Sequence, residues 1–149
     1  LLAGSGNSTA ACASDFAAAK AAMLGFKSES GSPFHGDGGG SYVVIAPPAM
    51  EKSWLEVLGA GMISNTTNMQ SGMAQLITSP RLTDTDDWYL LRADHLRGLI
   101  FQERDALEFT ALETNTESAF MRETYSYGCR ARYACGYGFW QAAVKTVNS

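Results

Sequence analysis

The sequence predicts an α+β fold in which an antiparallel sheet is flanked by short helices. Three stretches lead to it: an Ala-rich run closed by Gly25, a β-branched run that meets Pro-Pro and then a helical pattern across 42–59, and a series of short β-type runs from Trp88 to Trp140. At 149 residues the chain has the usual length of one domain, 1–149, with enough surface to bury a single core.

Residues 1–13 are small and weakly polar and read as a loop or arm. Ser14 or Asp15 then offers an N-cap for a helix over about 14–24, which would bury Phe16, Ala19 and Met23. The stretch 28–41 carries five Gly and one Pro, so no regular element persists through it. It does not fit a phosphate cradle either, because its glycines precede a strand, whereas phosphate loops follow a strand and open a helix.

Tyr42 to Ala46 lacks alternation and reads as a strand buried on both faces. Pro47 and Pro48 end it and start a helix in which Met50, Trp54, Leu55 and Leu58 recur on one side until Gly59, with Trp54 as a core anchor. Residues 62–74 read as turns, and Gln75 to Thr78 as a strand. The helix-strand-helix part thus spans 14–80, and a sheet-rich part spans 81–149.

In the second part, Trp88–Leu91, Leu99–Phe101 and Leu107–Ala111 are successive β-type runs and predict an antiparallel meander. Phe120–Tyr127 is a strand in which alternation does not separate apolar from charged residues. Gly128 is a turn, Cys129–Ala134 is a further strand, and the chain returns after Gly136.

Composition narrows the function. Net charge is -4, with three basic and five acidic residues up to residue 74 and eight and ten after it, so neither half offers the basic excess of a tight nucleic-acid binder. Cys12, Cys129 and Cys135 have neither zinc-knuckle nor redox spacing and read as reduced, partly buried thiols. The carboxylates of 83–87 lack the later Gly and Glu of a calcium loop, and His95 has no second ligand nearby, so neither metal nor cofactor is expected. No apolar run approaches the roughly 20 residues that cross a bilayer. His35 and Asp37 would suggest a hydrolase pair, but no nucleophile has a recognisable setting, so no catalytic residue is assigned. Arg130, Arg132, Tyr133, Tyr137 and Trp140 suggest a single-stranded nucleic-acid platform. Against it stands a twisted sheet with aromatic cross-strand pairs, its Arg residues paired with Glu123, Glu117 or a neighbouring subunit.

The blocks SPRLTDTDDWYLLRADHLRGLIFQERDALEF and MRETYSYGCRARYACGYGFWQAA resemble the C-terminal half of the Mu-like bacteriophage major head subunit, the T gene product family. The resemblance rests on Trp88, Tyr89 and Leu90, then Ile100, Phe101, Gln102 and Arg104, then Tyr125, Tyr127 and Gly128, and finally the run Gly136 to Gln141. The upstream AAAKAAMLGFKSESGSPF and YVVIAPPAMEKSWLEVL also fit, so about 13–143 is covered.

The resemblance implies the Hong Kong 97 phage-type major capsid fold, here an axial domain plus part of the peripheral domain. It implies a structural virion protein that self-assembles into an icosahedral shell around phage DNA. Its partners would be other copies in hexamers and pentamers, a scaffold and protease during assembly, and packaged DNA without sequence-specific contacts. The location would be the virion capsid, with assembly in the bacterial cytoplasm. The family's N-terminal arm, extended loop and spine helix are missing, and the chain starts without Met, so a C-terminal fragment of a longer protein is expected. The aromatic residues of 88–140 then read as subunit core, and Arg122, Glu123, Arg130, Arg132, Asn65 and Asn68 as candidate contacts between subunits.

Overall fold

The computed structural model describes residues 1–36, 39–94, 98–112 and 126–148. The chain divides into two compact units, Leu1–Gly98 with Gly138–Ser149, and Leu99–Tyr137. The architecture is mixed α+β, as the sequence predicts.

The first unit opens with β1, Leu2–Ala3, which pairs in parallel with β9, Ala143–Val147. The arm expected at 1–13 is therefore partly sheet, and it is tied down. The Gly4 N–H donates to the Val147 carbonyl at 2.8 Å, and a Cβ on Gly4 would lie 1.6 Å from Asn148 Oδ1, so a side chain there would have to displace that of Asn148.

Helix α1 spans Thr9–Leu24 and starts five residues before the Ser14 expected as its cap. Ser8 is the N-cap, its Oγ accepting from the Ala11 N–H at 3.2 Å. The helix-favouring Ala residues on both sides of Cys12 carry the pattern upstream past Ser14. Asp15, freed from capping, is buried and accepts from the Ser5 N–H and hydroxyl, each at 2.7 Å.

Strand β2, Tyr42–Ala46, runs parallel to β5, Ala74–Thr78, and antiparallel to β6, Trp88–Arg92. The sheet order is β1-β9-β6-β2-β5. Along β2, Tyr42, Val44 and Ala46 are buried while Val43 and Ile45 are only partly covered, so the strand has one core face rather than two. Between β2 and β5 the chain makes a short 3-10 turn at Pro48–Met50, then α2, Glu51–Gly59, then the small hairpin of β3, Met62–Ile63, and β4, Thr66–Thr67. Parallel β2 and β5 require a crossover of this kind, and α2 supplies it. The turns expected at 62–74 thus include a strand pair, closed by Ser64 and Asn65 with φ of 50° and 62°. Positive φ at both central residues is the signature of a two-residue hairpin loop.

The core joins the helices to the buried sheet face. Trp54, Trp88, Phe16, Met23, Met50 and Leu90 are its largest fully buried members, and Trp54 meets Trp88 edge-on at 4.5 Å between ring centroids. Trp54 is the core anchor expected of it. Gly40 enters β2 beside the buried Arg92, where a Cβ would lie 2.4 Å from Nε.

The second unit is one antiparallel ribbon, β7, Leu99–Leu112, against β8, Ser126–Tyr137. This corrects the meander: β6 lies between β9 and β2, while β7 pairs with β8 in a separate sheet. The two runs expected at 99–101 and 107–111 are one strand, carried through by register irregularities between Glu103 and Asp105 and between Asp105 and Glu108. Gly128 is no turn, for it sits within β8 opposite Thr110. The strand expected over 120–127 lies mostly outside the described residues.

Candidate functional site

The ribbon is the feature of this chain that has least use for itself. Strand β8 pairs without an extra residue from Ser126 to Tyr137, so its side chains alternate faces along its whole length. Odd positions read Tyr127, Cys129, Ala131, Tyr133, Cys135 and Tyr137, and even positions read Ser126, Gly128, Arg130, Arg132, Ala134 and Gly136. One face is aromatic and apolar, the other polar and cationic.

Opposed residues share a face, so β7 adds Leu99, Phe101, Glu103, Phe109 and Ala111 to the apolar side. The Phe101 and Tyr133 rings confirm the assignment, with centroids 5.6 Å apart. The two irregularities each insert one extra residue in β7, which turns Asp105 and Glu108 onto the side of Arg132 and Arg130. Asp105 Oδ2 then lies 3.6 Å from Arg130 and 3.8 Å from Arg132. All of β8 is exposed, as are Leu99, Phe101, Leu107 and Phe109.

Several expectations change here. The described aromatic residues of β7 and β8 do not form a core: Phe109 is 77% exposed and Tyr137 93%. Cys129 and Cys135 are exposed, and only Cys12 is buried. The expected pairing of Arg130 and Arg132 is with Asp105, while Glu117 and Glu123 lie outside the described residues. The nucleic-acid platform loses its geometry, because Arg130 and Arg132 face away from Tyr133 and Tyr137, and Trp140 belongs to the other unit and packs at a tilt against Phe26, with centroids 5.1 Å apart.

Of the candidate contacts, Arg130 and Arg132 stand on the polar face and Asn65 at the exposed β3–β4 turn. Asn68 spends its amide within the chain, donating to the Val57 and Ala60 carbonyls at 2.6 and 2.8 Å and so closing the end of α2. Arg122 and Glu123 lie outside the described residues.

His35 is buried rather than in a surface loop, its Nε2–H donating to the Gln141 carbonyl at 3.0 Å; Asp37 and His95 lie outside the described residues. In the acidic turn, Asp86 accepts from the Asn7 amide and Asp87 pairs with Lys145. The hydrogen bond to Asp87 holds the Lys145 ammonium above its usual pKa, against an opposing effect of desolvation. Burial, and secondarily the Asp15 carboxylate, push the Cys12 thiol up to about 11. Among the described residues no three His, Cys, Asp or Glu side chains gather as a metal site, and no helix is long and apolar enough to cross a membrane.

Sequence alternation was the signal for the ribbon. Reading Gly128 as a turn hides it, because the strand is then cut where odd and even positions begin to separate.

Comparison with known proteins bears on this same stretch. Residues 83–149 match the family described as Mu-like prophage major head subunit gpT. The Mu-like prophage FluMu major head subunit of Haemophilus influenzae is 37% identical over 79 residues, which are 52% of this chain and 26% of that protein. The chain therefore spans about a quarter of the curated relative it matches. A chain of the procapsid of bacteriophage JBD30 is 24% identical, with 93% of this chain and 40% of that one covered, at a TM-score of 0.36, too low to establish a common topology.

Proposed function

We propose that this chain is part of a phage major head subunit, a structural protein that assembles with copies of itself into the icosahedral shell around phage DNA. The observation that carries the reading is the match of 83–149 to the Mu-like major head subunit family. The exposed ribbon supports it, since a subunit that works by repeated contacts keeps apolar surface for its neighbours.

On this reading the fold is of the Hong Kong 97 phage type, the chain supplying an axial domain and part of a peripheral one. Its neighbours are other subunits in hexamers and pentamers, with a scaffold and a protease taking part during assembly in the bacterial cytoplasm. Packaged DNA is enclosed without sequence-specific contact, consistent with a net charge of -4 and with Arg130 and Arg132 already facing Asp105. No catalytic step is assigned to the chain. Arg130, Arg132 and Asn65 are surface contacts toward neighbours, and Arg122 and Glu123 join them in the stretch that links β7 to β8.

The test is expression of the full-length parent with its scaffold and protease, followed by electron microscopy. Closed shells are the expected result. Soluble, correctly folded parent that never closes into shells under these conditions rejects the reading.

A further inference from the structure

We infer that the apolar face of the β7–β8 ribbon docks against the same face of a second copy of this chain, with the two-fold axis passing at Ala131. A two-stranded ribbon is marginal by itself in water, and this one exposes Leu99, Phe101, Phe109, Tyr127, Tyr133 and Tyr137 by 57% to 93%. An aromatic side chain presents on the order of 150–250 Å² when fully exposed, so at these exposures the five rings and Leu99 offer roughly 800 Å² per copy, comparable to the ~800 Å² per partner of a standard specific interface.

The occupant follows from the order of large and small residues. A two-fold axis between two ribbons, crossing the strands at Ala131, lays β8 over β8 in opposite directions and β7 over β7. Tyr127 then meets Cys135 of the second copy, Cys129 meets Tyr133, and Ala131 meets Ala131. On β7, where the ladder pairs Phe101 with Cys135 and Ala111 with Tyr127, Phe101 meets Ala111 of the second copy. Phe101, Tyr127 and Tyr133 each face a small residue in this way, which is what two sheets packed about 10 Å apart need to interdigitate. The surface is thus self-complementary, as a two-fold interface must be.

Charge agrees with this arrangement. Glu103, the single acid on the face among the described residues, is paired with Tyr133 and falls over Phe109 of the second copy rather than over its own counterpart. The Arg residues point away. Pairing β8 edge to edge about a two-fold axis perpendicular to the sheet at Ala131 would instead set Arg130 beside Arg132 of the second copy, and like charges directly opposite oppose such a ladder. The β7 edge is broken by its two irregularities, which also disfavour strand addition.

Two alanines on β8 test the inference without touching a buried side chain. Ala131 and Ala134 are both exposed and lie on opposite faces. Under reducing conditions, sedimentation of the 149-residue chain across a concentration series is expected to show a reversible dimer. Maleimide labelling of Cys129 and Cys135 is expected to slow as the dimer forms, with buried Cys12 as the slow reference. Ala131→Glu sets two carboxylates together at the axis and is expected to weaken association at least tenfold and restore labelling; Ala134→Glu is expected to change neither. Thermal unfolding of both variants, equal to the parent chain, shows that they fold.

A monomer at all concentrations, a dimer whose ribbon thiols stay reactive, or equal effects of the two variants would each overturn the inference. Cover by an unrelated partner is the outcome if the chain stays monomeric and its thiols are protected only when that partner is added. The inference names a contact for the proposed shell but rests on the ribbon itself. Shells from the full-length parent whose ribbon thiols stay reactive would defeat it and keep the shell; a two-fold dimer from a parent that never forms shells would do the reverse.

Discussion

Trp88 and Phe101 both sit on β-strands, and the chain uses them in opposite ways. Trp88 is fully buried on the five-stranded sheet, packed against Trp54 and beneath the two helices, while Phe101 is 62% exposed on a ribbon of two strands. The cysteines repeat the contrast, with Cys12 inside and Cys129 and Cys135 outside. One unit buries its apolar face with its own helices; the other has the same kind of face and, among the described residues, no second layer of its own. A layer of sheet needs a partner layer, so the first unit can be stable as it stands and the second is built to be completed.

That contrast can be broken at graded cost. The largest effect is expected for Trp54→Ala, which empties a site touching both Phe16 and Trp88 and should lower unfolding free energy by about 3–5 kcal/mol in urea titrations. Phe101→Ala in dilute, dissociated chain should cost less than about 1 kcal/mol, since only a cross-strand ring contact is lost. Equal losses for the two substitutions would erase the distinction between the units.

The buried thiol gives a pH test. The folded chain holds the Cys12 proton up to about 11, whereas the thiol's ordinary value is 9.0. Its contribution is therefore intact below pH about 9 and is lost as pH rises toward 11, by at most roughly 2.7 kcal/mol. Wild-type chain should lose more stability than Cys12→Ala across that interval, measured as the difference between their denaturation midpoints. Cys129→Ala, on the ribbon, should show no such difference.

Smaller effects sharpen the boundary. Ser8→Ala removes the cap of α1 and should destabilise the first unit by about 1 kcal/mol, read by thermal unfolding. Asp105→Asn removes the carboxylate that faces Arg130 and Arg132; those side chains are 71% and 53% exposed, so the loss should stay below about 1 kcal/mol and vanish at high salt.

Much of the first unit was legible in the residues. Strand, Pro-Pro and helix at 42–59 appear in that order, because β-branched residues, the fixed φ of proline and helical spacing are local signals. The start of α1 was misplaced because two residues competed for one role: Ser14 and Asp15 look like caps, yet Ser8 caps and Asp15 is drawn into the core by Ser5. The candidate contacts were less legible. Asn65 and Asn68 have the same turn-favouring chemistry, and only the positions of the α2 carbonyls make one a surface turn and the other an internal clasp.

By itself the sequence determined the α+β class, the Trp54 core and the resemblance of the C-terminal part to a head subunit, since each is carried by residue order and local periodicity. Tertiary structure alone decided which strands are neighbours. Pairing is a long-range choice, in which β9 reaches back to β1 and β6 while β7 takes β8, and no local pattern encodes it. The same choice settled that the described aromatic residues of β7 and β8 stand outside. A period of two says that one face is apolar, but whether anything covers that face depends on which layer the rest of the chain can place over it.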